Sequence, residues 1–270
     1  MVLLSRLRVD WEVARRGYRR YAAYRAATAA GIFTNTVFGF LKGYILLAVL
    51  AYQPIVGGYD RADVLTFTWL TQALMMPVMM VAVWNDIALR IRSGDIATDL
   101  SRPLDPQRYY LAYDLGRATY QLVFRGVPPF VVGALVFDLR FPGGVTTWLA
   151  FLVSVALAVI TSYAYRFLYN CAAFWTLDIR GIGLLALLLA TVCSGFLVPL
   201  AFFPDWLESV VRLLPFAAMI QVPIDVFLGD VSGLAVVGAL GGQVFWAVVL
   251  VAAGRWAFAR GAARLVVQGG

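Results

Sequence analysis

The chain has 270 residues, of which 62% are hydrophobic and only 14% charged, with a mean hydropathy of +0.81. Soluble domains carry about a quarter charged residues, so a water-covered globule is excluded and the lipid bilayer is the solvent that fits. The net charge of +7 is nearly all arginine, Lys42 being the single lysine, and histidine is absent. That excludes His-based acid–base chemistry and His metal sites, and it points to anionic lipid headgroups, not nucleic acid, as the counter-charge. Two cysteines, Cys171 and Cys193, are too few for a disulfide framework or a zinc site.

The first thirty residues carry seven arginines and no continuous apolar core, unlike a signal peptide. Leu4, Leu7, Trp11, Ala14, Tyr18 and Tyr21 recur at spacings of three and four, with Arg15 and Arg19 off that stripe. This predicts an amphipathic helix lying on a membrane surface, the alternative being a short helix packed on the protein itself. Gly17 weakens it as one continuous helix.

Six apolar segments follow: Gly31 to Tyr52, Ala62 to Trp84, Ala118 to Phe137, Val145 to Phe167, Gly181 to Phe203 and Gly233 to Ala257. Each is long enough, at ~1.5 Å per residue, to cross a ~30 Å hydrocarbon layer. The third is interrupted by Arg125 and Pro128-Pro129. Placing both termini in the cytoplasm puts 17 arginines inside and only Arg61, Arg140 and Arg212 outside, as the positive-inside rule requires. The chain divides into a surface helix (1–30), spans one and two (31–84), a cytoplasmic loop (85–117), spans three to five (118–203), an external segment (204–232), span six (233–258) and a tail (259–270).

The cytoplasmic loop holds a predicted short helix. Ser93 is placed to cap it, Asp95 suits its positive end, Ile96 and Leu100 share one face, and Pro103 stops it. Pro106 stiffens the turn that follows. The external segment is apolar but cut by Pro204, Pro215 and Pro223, so it reads as either a re-entrant pair of short helices or a surface hairpin.

Candidate sites are few. A G-x-x-x-x-G-K-[ST] loop is absent, so ATP is not expected to bind here by that route. Lys42, central in span one, serves either a substrate path or an internal ion pair or hydrogen bond. Arg117, Gln121 and Arg125, four apart, either line an inward-facing vestibule, reach the headgroups by snorkelling, or pack under the N-terminal helix; snorkelling is the preferred expectation. Arg166 and Arg180 are read as loop cations, and the pairs Asp138–Arg140 and Asp178–Arg180 as interface anchors. Met75, Met76, Met79 and Met80 are read as lipid-facing or packing residues.

Three stretches carry a resemblance: Arg92-Ser93-Gly94-Asp95-Ile96 through Leu100-Ser101-Arg102-Pro103-Leu104-Asp105-Pro106; Phe203-Pro204-Asp205-Trp206-Leu207 with Leu214-Pro215-Phe216 and Val222-Pro223; and Phe174-Trp175-Thr176. With the basic N-terminus, the chain resembles the permease subunits of ABC-2-type exporters, in the compact six-span branch. The resemblance implies an all-α, type V exporter-like fold with an elbow helix at Trp11, Arg15, Tyr18, Arg19 and Tyr21. It implies a coupling helix with its flanks, from Arg92, Gly94, Asp95 and Ile96 to Asp99, Leu100, Arg102 and Pro103, seated on a separate ATPase. It implies external re-entrant helices at Pro204, Trp206, Pro215 and Phe216. Two ATPase subunits would bind ATP and Mg, this chain would hold no cofactor, and a second permease, the same or homologous, would complete the unit in a bacterial cytoplasmic membrane. Lys42 and Arg125 stand as substrate-path candidates. The rival expectation is a non-transporting membrane scaffold or assembly protein.

Overall fold

A computed structural model describes residues 2–80, 82–176 and 178–264. The Leu4 side chain of the N-terminal stripe and the tail from 265 to 270 lie outside the described residues. The described chain is helical, with one isolated bridge between Val56 and Tyr59. Its elements are α1 (Val2–Ala22), α2 (Arg25–Leu50), α3 (Arg61–Leu74), α4 (Asp86–Ser93), α5 (Ile96–Leu100), α6 (Pro106–Gln121) and a π-helical turn (Leu122–Gly126). There follow α7 (Val127–Val136), α8 (Val145–Asn170), α9 (Ala173–Thr176), α10 (Arg180–Cys193), α11 (Asp205–Arg212), α12 (Gln221–Leu228) and α13 (Leu234–Ala262).

Four stretches are long and apolar enough to cross a membrane: Arg25–Leu50, Pro106–Val136, Val145–Thr176 and Leu234–Ala262. The second and fifth expected spans take a different form. Helices α3 and α10 have 14 residues each, about 21 Å of rise, short of a ~30 Å layer. Pro77 ends the first: it has no N–H to give, and its ring excludes the carbonyl four residues earlier, that of Ala73. That carbonyl rests on Gly126, where any Cβ would come within 2.4 Å of it. Gly195 ends the second, with φ +81 in the left-handed region that glycine adopts freely.

In the core α8 packs on α13 and α12, and α12 in turn on α3, around Phe67, Leu74, Phe151, Ile220, Ile224 and Phe227. Of the two readings of the four methionines, packing is the one that fits: Met80 is buried and Met75, Met76 and Met79 are half-buried. The segment from Pro215 to Leu228 is almost wholly buried. Gln221 donates to Tyr59 Oη (2.9 Å) and Asp225 (2.5 Å), and Arg212 pairs with Asp225 at 2.9 Å. By contrast Trp206, Val210 and Leu213 on and after α11 are exposed. Arg140 pairs with Asp60 (2.7 Å) and Asp63 (2.9 Å), not with Asp138. Arg180 and Asp178 do pair, at 3.6 Å.

The N-terminal helix is continuous through Gly17 and packs lengthwise on α6. Gly17 is a contact point: a Cβ there would meet the Tyr113 carbonyl oxygen at 2.2 Å, and one on Gly116 would meet that of Ala14 at 1.8 Å. Val13 and Gly17 are buried, Tyr18 and Tyr21 half-buried, while Leu7, Trp11, Arg15 and Arg19 are exposed. The expected single stripe therefore splits. Its C-terminal part faces α6, where Tyr18 meets the Tyr120 ring edge-on at 5.3 Å, and Trp11 points away.

Candidate functional site

The arginine-rich end of the molecule holds a helical hairpin, α4 and α5, turned at Gly94 in the left-handed region (φ 81). Asp99 ties it together. Arg90 donates two bonds to its carboxylate, at 2.6 and 2.9 Å, and Tyr110 Oη donates a third at 2.8 Å from α6. The Asp99 contact holds the Arg90 guanidinium further into its charged range.

The start of α4 is capped by another helix. Asn85 makes no side-chain cap; instead Asn170 of α8 accepts from Ala88 N (3.0 Å) and donates to Trp84 O (2.7 Å), while Tyr169 Oη donates to the same carbonyl at 2.8 Å. Ser93 ends α4 and does not begin α5; its hydroxyl bonds the Asp95 carboxylate at 2.8 Å. Asp105 caps α6 through Arg108 N (2.8 Å) and meets Arg255 of α13 at 3.0 Å. Arg108 in turn pairs with Asp10 of α1 at 2.5 Å.

The expected contact pair separates here. Ile96 is fully buried with Ile87, Ile91, Phe167 and Phe258, so it anchors the hairpin from within. Leu100 is 40% exposed. The open surface of the hairpin comprises Arg92, Gly94, Asp95, Leu100, Arg102 and Pro103, whereas Asp99 is turned inward.

Beneath the hairpin lies a buried ionic cluster that the sequence reading did not assemble. Asp114 pairs with Arg117 at 2.7 Å and with Arg166 at 2.8 Å, each side chain no more than 4% exposed. Arg117 neither snorkels nor lines a vestibule: its remaining donors reach Met76 O (2.8 Å) and Pro77 O (2.7 Å). Ser162 Oγ donates to Val78 O at 2.5 Å. The unwound stretch after α3 is thus held in part by side chains, which pair carbonyls that no helix serves. Within it Met79 has φ 63, a conformation that costs a side-chain-bearing residue energy. Arg166 is a core cation, not a loop one, and its guanidinium also lies 5.3 Å from the Trp84 ring.

Lys42 serves the other broken helix. Its ammonium donates to Thr71 Oγ1 (2.9 Å) and to Phe196 O (2.6 Å), over the rings of Phe67 and Phe196. Gln221 completes that hold, accepting from Leu200 N at 3.1 Å while its backbone N–H donates to Ser194 O at 3.0 Å. Arg125 lies across Gly31 of α2, on the π-helical turn, apart from Lys42 and from the Asp114 cluster. Arg117, Gln121 and Arg125 therefore do not act as one stripe. The i, i+3 spacing of Asp114 and Arg117 was the one legible sign of the cluster; Arg166 arrives from 52 residues away.

Among the described residues, no group of three or more His, Cys, Asp or Glu side chains is placed to hold a metal ion. No curated protein matches the chain. A family model described as ABC-2 family transporter protein matches residues 38–269, from the middle of α2 to the C-terminus. The chain is a membrane protein of the ABC-2 transporter family.

Proposed function

We propose that this chain is the membrane-spanning permease subunit of an ATP-driven exporter, with the α4–α5 hairpin as its contact to a separate ATPase. The observation that carries the reading is the hairpin itself. It is clamped from within by Ile96 and Asp99 and from α8 by Asn170, and it leaves Arg92, Asp95 and Leu100 open. A rigid hairpin with an open face suits transmission of force from a partner. Family membership supports an ATPase partner, and the missing phosphate loop fits hydrolysis elsewhere.

In this reading α3 and α10 cross the membrane with the help of their unwound continuations, making six crossings. The arginine-rich end faces the cytoplasm of a bacterial cell, α1 lies along the inner leaflet, and α12 enters from the outer side as a re-entrant helix. Two ATPase chains and a second permease, identical or homologous, complete the unit. ATP-driven closure of the ATPases shifts the balance between inward-open and outward-open arrangements, carrying an amphipathic or hydrophobic substrate outward. Lys42 supports the framework in this arrangement: both of its bonds end on protein.

The test is co-purification from native membranes with an ATPase, followed by ATP hydrolysis and export assays on Leu100→Asp. The reading expects a folded, inserted variant whose partner hydrolyses ATP without export. Full export by that variant overturns the hairpin assignment, and a chain that copurifies with no ATPase overturns the exporter reading.

A further inference from the structure

Two clefts open where α1 meets α6, the α4–α5 hairpin and the linker that joins α5 to α6. One, of about 360 Å³, is lined by Arg20, Arg102 and Tyr113 among others; the second, of about 530 Å³, adds Arg8 and Arg16. Arg102 and Tyr109 belong to both, so the clefts adjoin.

The cations divide by how far they are already engaged. Arg90 is committed to Asp99 through two donors. Arg20 makes one bond, from Nη1 to Tyr113 Oη at 3.1 Å, and Arg102 only approaches Asp99, at 3.6 Å. Both guanidinium groups keep most of their five donors. Of the acidic lining, Asp99 is enclosed by Arg90 and Tyr110, Glu12 sits 3.6 Å from Arg15, and Asp86 lies in the first turn of α4, where the helix end offsets its charge.

The rims have a different chemistry. Leu89 borders the first cleft at 56% exposure, and Val9 and Leu104 border the second at 39% and 38%. A guanidinium floor with apolar lips matches an anionic head carrying hydrocarbon. Arginine reads phosphate by paired N–H donors, and tyrosines at the same level suit the headgroup zone. An acidic peptide would leave those lips uncovered.

We propose that the paired cleft between α1 and the α5–α6 linker binds a phosphate ester, the headgroup of an anionic lipid, held jointly by Arg20 and Arg102. Because these arginines come from different elements, an occupant staples α1 to the hairpin. The site needs no ATPase, so its test is independent of the transport reading, and α1 lies outside the residues matched by the family model.

The experiment is native mass spectrometry of the purified chain in detergent, offered equal amounts of phosphatidylglycerol and phosphatidylcholine. Preferential retention of phosphatidylglycerol is expected. Arg20→Gln and Arg102→Gln each lower it about tenfold, the loss of one charge-assisted contact, while Arg25→Gln, at the exposed start of α2 and outside both clefts, leaves it unchanged. All three side chains are exposed, and an unaltered melting temperature confirms that the variants are folded. A parallel arm with excess inorganic phosphate separates the sources. Lipid that stays bound assigns the site to the lipid headgroup, and displacement assigns it to free phosphate; both support a phosphate site. Equal retention of the two lipids, or equal loss in Arg25→Gln, overturns the proposal. So does weakened ATPase capture by the cleft variants with lipid retention intact, since the cleft is then a protein-docking surface.

Discussion

Replacing Asp114 with Asn is the sharpest probe of the buried cluster. The carboxylate sits between two guanidinium groups, at 2.7 and 2.8 Å, and all three side chains are at most 4% exposed. With Asp114 present the trio carries one net positive charge; with Asn it carries two. Breaking a buried ion pair by removing one partner costs about 3–5 kcal/mol, because the survivor stays buried without its counter-charge. Here both survivors do. Arg117 keeps the Met76 and Pro77 carbonyls, and Arg166 keeps Ser162 at 3.3 Å, which softens the loss without supplying a negative charge. The expected fall in melting temperature in detergent is roughly 10 °C, taking about 2–4 °C per kcal/mol for a chain of this size. Arg166→Met gives the internal control. It leaves a neutral Asp114–Arg117 pair, so it should cost about 2 kcal/mol less than Asp114→Asn. If Arg166→Met proves as damaging as Asp114→Asn, the cluster is not organised by charge and the reasoning fails.

Four further outcomes follow from the same geometry. Gly116→Ala places a Cβ 1.8 Å from the Ala14 carbonyl oxygen, so α1 should lift from α6 and lose amide-exchange protection while the α8–α13 core keeps its own. Ile96→Asp and Leu100→Asp should part company: the first buries an unpaired carboxylate and costs several kcal/mol, seen as loss of folded protein, and the second leaves the stability within about 0.5 kcal/mol of the parent. Met79→Gly removes the penalty of φ 63 and should stabilise this conformation by about 1 kcal/mol, raising the melting temperature and slowing any cycle that requires the segment to rearrange. Partial desolvation of this surface-exposed carboxyl, then the negative charges of Asp225 and Asp63, push Asp230 up from 3.8 to about 6. The folded state therefore keeps a proton that the unfolded chain releases between those values, so the Asp230 contribution to stability is full below 3.8 and declines as pH rises to about 6. Melting curves across that window should show a shallower decline for Asp230→Asn than for the parent chain.

How much of this was legible in the sequence depends on the range of the interaction. Apolar runs 26 residues long, such as α2 and α8, announce themselves because each helix satisfies its own backbone. The breaks after Leu74 and Cys193 do not, since hydropathy is blind to whether an apolar residue is helical; Pro77 and Gly195 were the available signals, and both lie inside uninterrupted apolar stretches. A short helix was expected around Asp95 to Leu100, where α5 lies, but its partner α4 was not, and the faces of the short helix were misjudged. Ile96 and Leu100 share a helical face by spacing, yet a five-residue helix is too short for spacing to decide burial, and the neighbours Phe167 and Phe258 come from α8 and α13. Gly17 was read for its helix propensity, which tertiary contact overrides where a carbonyl passes within reach. Arg166 was misplaced for a similar reason: its partner lies two helices away, and a cation near the end of an apolar run looks the same whether it meets water or a carboxylate.

Rigidity is distributed unevenly along the path from the hairpin to α3, and that distribution decides where movement is absorbed. The hairpin is fastened by fully buried apolar side chains, Ile87 and Ile96 with Ile91 nearly so, each worth about 2 kcal/mol, and by the charge-assisted bonds to Asp99. Helix α3 is held by its own backbone ladder and an unbroken run of buried residues from Asp63 to Leu74. Between them, the stretch after Leu74 has no continuous ladder: it keeps turn bonds from Val78 N to Leu74 O, Met79 N to Met76 O and Met80 N to Met75 O, the burial of Val78 and Met80, and side-chain bonds from Arg117 and Ser162, against a strained Met79. A force applied at the hairpin that bends neither helix must change this stretch first. Arg117 can follow such a change, because a guanidinium with five donors exchanges one carbonyl for another at little cost; an apolar side chain in its place would leave those carbonyls unsatisfied in every arrangement.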